Sequence, residues 1–294
     1  MLYVTLGIYL SQFKPNEVIH VNKNLLIGLA VGLVIGIIVG ATASAVLPFL
    51  HKHKEESLLE KIKKRGVLIV GTSADWPPFE YIDKSGNYAG IDIEIAKKIA
   101  EAIGVKLEIK DIKFDALIAA LKGGEIDMII ADMTPTAERE KEVDFSKPYY
   151  SDVFVFVVLK SSNISSLEDL YGKTIGVQQG TIQEEWANEH LKGKCTIKSY
   201  TKVYPDMVLV LERGDVDAIL ISKTVAEVLM AKDPKLKIAF LVKGTEEYAA
   251  IAVPEDAEDL KYVVNKVVEQ LKSSGELDKI IQQEIDKWLK EQGG

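Results

Sequence analysis

Residues 121–134 read LKGGEIDMIIADMT, and residues 211–224 read LERGDVDAILISKT, 90 positions later. Each runs through a helix end, a glycine, an acidic residue, an apolar residue and an aspartate. A four-residue apolar strand follows, closed by a polar residue and, two on, a threonine. Asp127 aligns with Asp217, Asp132 with Ser222 and Thr134 with Thr224. Chance similarity between two helix-Gly-strand units is the weaker reading, because register holds through 14 positions. The repeat predicts two similar α/β lobes. Open α/β lobes place the C-terminal ends of their strands at a shared cleft, where ligands bind.

Helix and strand patterns alternate outward from both copies, the rhythm of a largely parallel sheet. In the first lobe, Ser57 and Glu60 form a capping box that opens a short basic helix ending at Arg65. A strand over residues 67–70, a helix over 91–102, a strand over 105–109, a helix over 114–121 and a strand over 126–131 follow. In the second lobe the strands fall at 174–177, 196–200 and 218–221, and the helices at 181–190 and 205–213. Two helices, 258–272 and 276–290, close the chain. Lobe one is expected to comprise residues 57–150 plus 249–294, and lobe two residues 151–245.

Ahead of this body, residues 25–50 form a 26-residue run without a charged side chain, long enough to span a bilayer as a helix. A buried core helix is a poorer reading, because the run is apolar all round. A cleaved signal peptide competes, since Ala43, Ser44 and Ala45 resemble a cleavage site. Gly28, Gly32, Gly36 and Gly40 recur on one helix face, which suits a retained anchor and a homodimer contact. Residues 1–24 then form an N-terminal extension, with Val21 an alternative start, and residues 51–57 a linker. Lys52, Lys54, Lys61, Lys63, Lys64 and Arg65 follow the run, a charge bias that by itself would keep the body in the cytoplasm.

Hydrophobic residues make up 47% of the 294 and charged residues 27%, a balance that supports a packed core. The net charge of -8 argues against nucleic acid as a partner. One cysteine, Cys195, excludes an intrachain disulfide and a Cys-rich zinc site. Of four histidines only His190 lies beyond residue 53, so neither a metal centre nor a cofactor is expected.

Four stretches in order, GTSADWPPFEYID followed by GIDIEIAKKIA, FDALIAALKGGEIDMIIADMTPTAERE, VDFSKPYY and IGVQQGTIQ, carry a family likeness. Together they resemble the polar amino-acid substrate-binding proteins of ABC importers, the extracellular solute-binding family 3. The likeness covers residues 58–289. It implies a periplasmic-binding-protein fold whose two lobes close on an amino acid about a hinge.

The resemblance implies site roles that the residues also support physically. Arg139 matches the family arginine that grips the ligand α-carboxylate, and a guanidinium fork suits a carboxylate bidentately. A solvated arginine in a charge-rich turn is the alternative. Thr134 offers a hydroxyl and an N–H to the same carboxylate, or serves only the turn before Pro135. Thr181 caps the helix that follows, with Glu184 completing a capping box, and helix N-termini favour anions. Gln183 is implied as a side-chain contact. Trp76 and Phe114 match aromatic positions that sandwich the ligand side chain; Phe114 also suits core packing.

Asp132 and Ser222 depart from the family, where the first position is commonly small and the second an Asp that binds the α-ammonium. The exchange suggests that Asp132 pairs with the ammonium here, with capping of the following turn as its plainer role. Asp75 is the expected side-chain selector, which favours arginine or lysine, with glutamine or histidine next. Ser73, Met133, Gln179 and Ile182 complete the expected ligand set, and no residue is assigned a catalytic role.

The leading expectation is capture of a polar amino acid outside the cytoplasm and its delivery to an ABC permease. A cyclohexadienyl or arogenate dehydratase on the same fold is the enzymatic alternative, requiring a general acid such as Glu80 or Asp75. A tethered sensory domain is a third, against which no kinase-like module precedes the apolar run. Extracytoplasmic placement follows from the family resemblance rather than from charge.

Overall fold

The computed structural model describes residues 56–292 and, as an isolated position, Gly32. The apolar run at 25–50 and its glycine face lie outside the described residues, apart from that one position. Among the described residues, no helix is long and apolar enough to cross a membrane.

Helix α1 spans Leu58–Arg65 and starts in the expected capping box. The Ser57 N–H donates to Glu60 Oε2 at 3.0 Å, and the Glu60 N–H donates to Ser57 Oγ at 3.2 Å. The first-lobe strands are β1 (Val67–Thr72), β2 (Asp75–Trp76), β3 (Glu80–Ile82), β4 (Tyr88–Ala89), β5 (Lys106–Asp111), β6 (Met128–Ile129) and β7 (Asp144–Phe145). Between them lie α2 (Ile91–Ile103) and α3 (Leu117–Lys122). The second lobe holds β8 (Tyr150–Leu159), β9 (Thr174–Gln178), α4 (Ile182–Leu191) and β10 (Thr196–Tyr200). It continues through α5 (Val208–Arg213), β11 (Ala218–Ser222), α6 (Lys223–Lys232) and β12 (Leu236–Ala249). Strand β13 (Ala252–Val253) and helices α7 (Glu258–Ser273) and α8 (Glu276–Gln292) follow.

Two five-stranded sheets result, ordered β5-β1-β6-β13-β7 and β10-β9-β11-β8-β12. In each, three parallel strands carry the repeated unit and antiparallel strands finish the sheet. Strand β13, which follows β12, returns to the first sheet. The outgoing and returning strands are tied together where the chain changes lobe. The Tyr149 N–H donates to Ala249 O, and the Ser146 N–H donates to Ile251 O, both at 2.9 Å. Such a paired crossover can bend while both sheets stay intact, the geometry of a hinge.

Several elements differ from the sequence reading. The strand expected over 126–131 narrows to Met128–Ile129, because the chain turns at Asp132, where φ is 45°. The helix expected over 114–121 opens as a 3-10 turn, Phe114–Ala116. The hairpin sheet β2-β3-β4, the long pair β8 and β12, and α6 have no counterpart in that reading. Strand β8 is buried on both faces through Phe154, Val155, Phe156, Val157 and Val158, so period-2 alternation is absent.

Helix α8 straddles the two lobes. Trp288, fully buried, packs edge-on against Tyr81 of β3 at 4.8 Å and against Tyr204 of the second lobe at 5.2 Å between ring centroids.

Candidate functional site

The strand ends of the two sheets border a cavity with about 330 Å³ of empty space, part of it open to solvent. Of the expected set, Ser73, Trp76, Phe114, Asp132, Thr134 and Arg139 reach it from the first lobe, and Thr181, Ile182 and Gln183 from the second. Glu80, expected only as the general acid of the enzymatic alternative, also lines it, as do Ala131, Gln178 and Glu247, which are absent from the sequence reading.

Arg139 begins the 3-10 turn Arg139–Lys141 after the Thr134-Pro135 bend. Its Nη1 donates to Thr134 O at 2.6 Å, and its Nη2 donates across the cleft to Gly180 O at 3.0 Å. The guanidinium carbon lies 5.4 Å from the centre of the Phe114 ring. Burial lowers its pKa to about 10, so it stays charged at neutral pH. Opposite it, Thr181 caps α4: its Oγ1 accepts from the Glu184 N–H at 3.2 Å and donates to Gln178 O at 2.7 Å. Glu184 reaches the Gly180 N–H at 2.7 Å rather than closing a full capping box on Thr181. The first turn of α4 thus lines the cleft with Thr181, Ile182 and Gln183, next to the Gly180 carbonyl that the guanidinium bonds.

Carboxylates dominate the rest of the wall. Asp132 accepts from Trp76 Nε1 at 2.9 Å, and its own N–H donates to the buried Asp92 at 2.8 Å. This bond holds the left-handed backbone at Asp132. Glu80 is 1% exposed, and neither of its oxygens has a donor among the described residues. The Asp92 carboxyl beside it can bond to it only by sharing a proton. Glu247 on β12 accepts from Gln183 Nε2 at 2.9 Å through Oε2, while its Oε1 has no hydrogen-bond partner among the described residues.

Burial is the main cause that raises the pKa of each of these acids, and their mutual repulsion adds to it. Asp92 is pushed up to about 7, chiefly by burial, against the bond from the Asp132 N–H. One guanidinium therefore faces several buried carboxylates, and the cavity is suited to a ligand with one anionic and more than one cationic group.

Four members of the expected set lie off the cavity wall. Asp75 Oδ1 accepts from Gln178 Nε2 at 2.9 Å and the Val203 N–H at 3.0 Å, and Oδ2 accepts from Ser73 Oγ at 2.8 Å. Its carboxylate is spent joining β2 to the second lobe, so the structure does not place it as a side-chain selector. Met133 is in the apolar core of the first lobe. Gln179 is exposed. Ser222 is fully buried, and its Oγ accepts from Gln183 Nε2 at 3.4 Å.

The lobes touch at Gly180. Its φ is +80°, and a Cβ added there would lie 2.8 Å from Asp115 Cβ and 2.9 Å from Asp115 Cα. With the Arg139–Gly180 and Asp75–Gln178 bonds, this contact defines a closed cleft.

The sequence profile of the bacterial extracellular solute-binding proteins, family 3, matches residues 68–290. The arginine-binding extracellular protein ArtP of Bacillus subtilis is 40% identical over 217 residues, covering 72% of this chain and 84% of its own. The L-cystine-binding protein TcyJ of Escherichia coli is 31% identical over 237 residues, covering 80% of this chain and 87% of its own. The crystal structure of AbpA, an amino acid ABC transporter substrate-binding protein of Streptococcus pneumoniae bound to L-arginine, superposes with a TM-score of 0.75. It is 35% identical and covers 78% of this chain and 99% of its own. With the profile spanning most of the chain and both lobes superposing, this chain belongs to the bacterial extracellular solute-binding proteins of family 3.

Proposed function

We propose that the protein captures a basic amino acid, arginine before lysine, and delivers it outside the cytoplasm to an ABC permease. The carrying observation is the cavity itself, where Arg139 stands opposite Asp132, Glu80 and Glu247, all largely or fully shielded from solvent. In this reading Arg139, Thr134 and the first turn of α4 hold the α-carboxylate, and Asp132 meets the α-ammonium. Trp76 and Phe114 flank the side-chain stem, and Glu80 receives the distal cation in the role first expected of Asp75. The names of ArtP and AbpA support arginine, and TcyJ shows that similar chains serve other amino acids. Relatives named as binding proteins favour capture over the dehydratase alternative. Residues 25–50 serve as the tether in this proposal.

A thermal-shift panel of the full chain against the twenty amino acids and arogenate tests the assignment. A ligand present at 100-fold above its Kd stabilises by about 2.7 kcal/mol. Selective stabilisation by arginine or lysine is expected. A response to neutral amino acids alone, or conversion of arogenate to phenylalanine with loss of water and carbon dioxide, would overturn it.

A further inference from the structure

Glu247 belongs to no role assigned so far. It lies on β12, two residues before the strand ends at the lobe crossover, and is 5% exposed. Gln183 Nε2 donates to its Oε2 and the nearby Ser222 hydroxyl helps to hold its charge, while Oε1 has no hydrogen-bond partner among the described residues. A buried carboxylate left half-satisfied costs free energy unless a cation arrives. Its position in the wall shows where that cation would come from, because Glu247 lines the same cavity as Arg139 and Asp132.

The other acids locate it within the cavity. Asp132 feels Glu247 as its largest neighbouring charge, followed by Asp92. Glu80 instead feels Asp92, Asp132 and Asp75. Gln183, three residues after the Gly180 carbonyl that Arg139 bonds, holds Glu247 at the Arg139 end of the cavity, whereas Glu80 pairs with Trp76 in the β2-β3 hairpin. Asp132 also shares with Arg139 the segment that follows β6, seven positions apart. An α-ammonium sits one carbon from the carboxylate that Arg139 would hold, so the cation nearest to the Asp132 and Glu247 pair is the ammonium, while Glu80 lies towards the distal end. Asp132 belongs to the first lobe and Glu247 to the second. Closing the cleft drives two like charges together, and a cation between them converts that repulsion into attraction from both sides.

We propose that Glu247 is a specificity-determining residue that grips the ligand α-ammonium from the second lobe, opposite Asp132. Gln183 positions it by bonding both its carboxylate and Ser222. The inference rests on the basic amino-acid reading above. It adds that the α-amino group is recognised by one carboxylate from each lobe, so closure itself senses that group.

The test compares L-arginine with 5-guanidinopentanoate, which keeps the carboxylate and guanidinium and lacks the α-amino group. Isothermal titration uses the full chain and its Glu247→Gln variant. The unaltered protein should prefer arginine by about 100-fold or more, in the range measured for close charge pairs. Glu247→Gln should cut that ratio at least about tenfold, equivalent to ~1.4 kcal/mol, by weakening arginine alone. Unchanged binding of the analogue then certifies that the variant is folded. An unchanged ratio, or equal weakening of both ligands, overturns the role of Glu247 while leaving the basic amino-acid reading intact. Failure of the unaltered protein to bind either compound overturns that reading and this inference with it.

Discussion

Asp127 and Asp217 make the same pair of bonds in the two sheets. Asp127 exchanges its N–H and carboxylate with the backbone of Ile69, each at 2.7 Å. Asp217 does the same with Thr174, each at 2.8 Å. Each aspartate clamps the entry of its own strand to the neighbouring parallel strand. The environments differ: Asp127 is 4% exposed and also pairs with the Arg65 guanidinium, whereas Asp217 is exposed.

Asp127→Asn should therefore lower unfolding stability by about 2 kcal/mol, since a buried charge-assisted bond and an ion pair are lost together. Asp217→Asn should cost no more than about 1 kcal/mol, as exposed polar bonds usually do. Urea unfolding of the two variants measures the difference. Equal losses would show that the clamp, and not its burial, sets the energy.

Glu80→Gln removes the charge proposed to meet the distal cation while keeping shape. Arginine affinity should fall about 100-fold, the scale for one partner of a buried charge pair. Citrulline, its neutral counterpart, should bind the variant at least as well as it binds the unaltered protein. Titration with both ligands decides, and a parallel fall for both would place the cation elsewhere.

Gly180→Ala tests closure without replacing a charged side chain. Its φ of +80° and the 2.8 Å approach to Asp115 leave no room for a methyl group in the closed form. Ligand affinity should weaken roughly tenfold, in line with a penalty of 1–3 kcal/mol for a strained residue. Small-angle scattering with saturating arginine should show a larger radius of gyration than for the unaltered protein. An unchanged radius and affinity would show that the contact adjusts freely.

The raised carboxylates fix the sign of the pH response. Asp92 at about 7 and Asp75 at about 6 bind protons more tightly folded than unfolded, where 3.8 applies, and Glu80 and Glu247 are raised too. The empty protein takes up protons on folding, so these groups stabilise it increasingly as pH falls from about 7 towards 4. That contribution is lost as pH rises through the folded values. A cationic ligand has the opposite preference, because it needs Glu80 and Glu247 ionised. Arginine affinity should thus fall by about 100-fold between pH 7 and pH 5 for each proton that binding must displace, as one proton per pH unit is worth ~1.4 kcal/mol. Titration across that range measures it. Affinity that rises on acidification would reverse the assigned charges.

The fold was legible because the repeat preserves two features that local sequence carries: the aspartate clamp and the run that follows it. The hinge strands were less so, since β8 lacks alternation and β12 is irregular, with register shifts between Ile238/Phe240 and Leu241/Glu246. In the site, Thr181 announced itself through cap chemistry, whereas Arg139 stood out only through the family resemblance, its local sequence reading as a solvated arginine in a charge-rich turn. Asp75 and Glu80 could be told apart only by pairing. In the hairpin Trp76 lies opposite Glu80 and Asp75 opposite Tyr81, so Trp76 and Glu80 share the cavity face and Asp75 turns towards the second lobe. The WPPFE turn was the available signal. Glu247 had none, because GTEEYAAIA reads as an ordinary polar edge, and only the return of β12 beside β8 brings it to Asp132's cavity.

Trp288 gives the protein its own optical gauge. The indole is wedged between Tyr81 and Tyr204, one ring from each lobe, so any rotation of the lobes changes its surroundings. Of the other two tryptophans, Trp186 stacks on His190 at 4.5 Å, and Trp76 lines the cavity. With Trp76 replaced by phenylalanine, intrinsic emission becomes a label-free record of how far and how fast the cleft opens. A transport cycle could then be followed in real time from the binding protein's side.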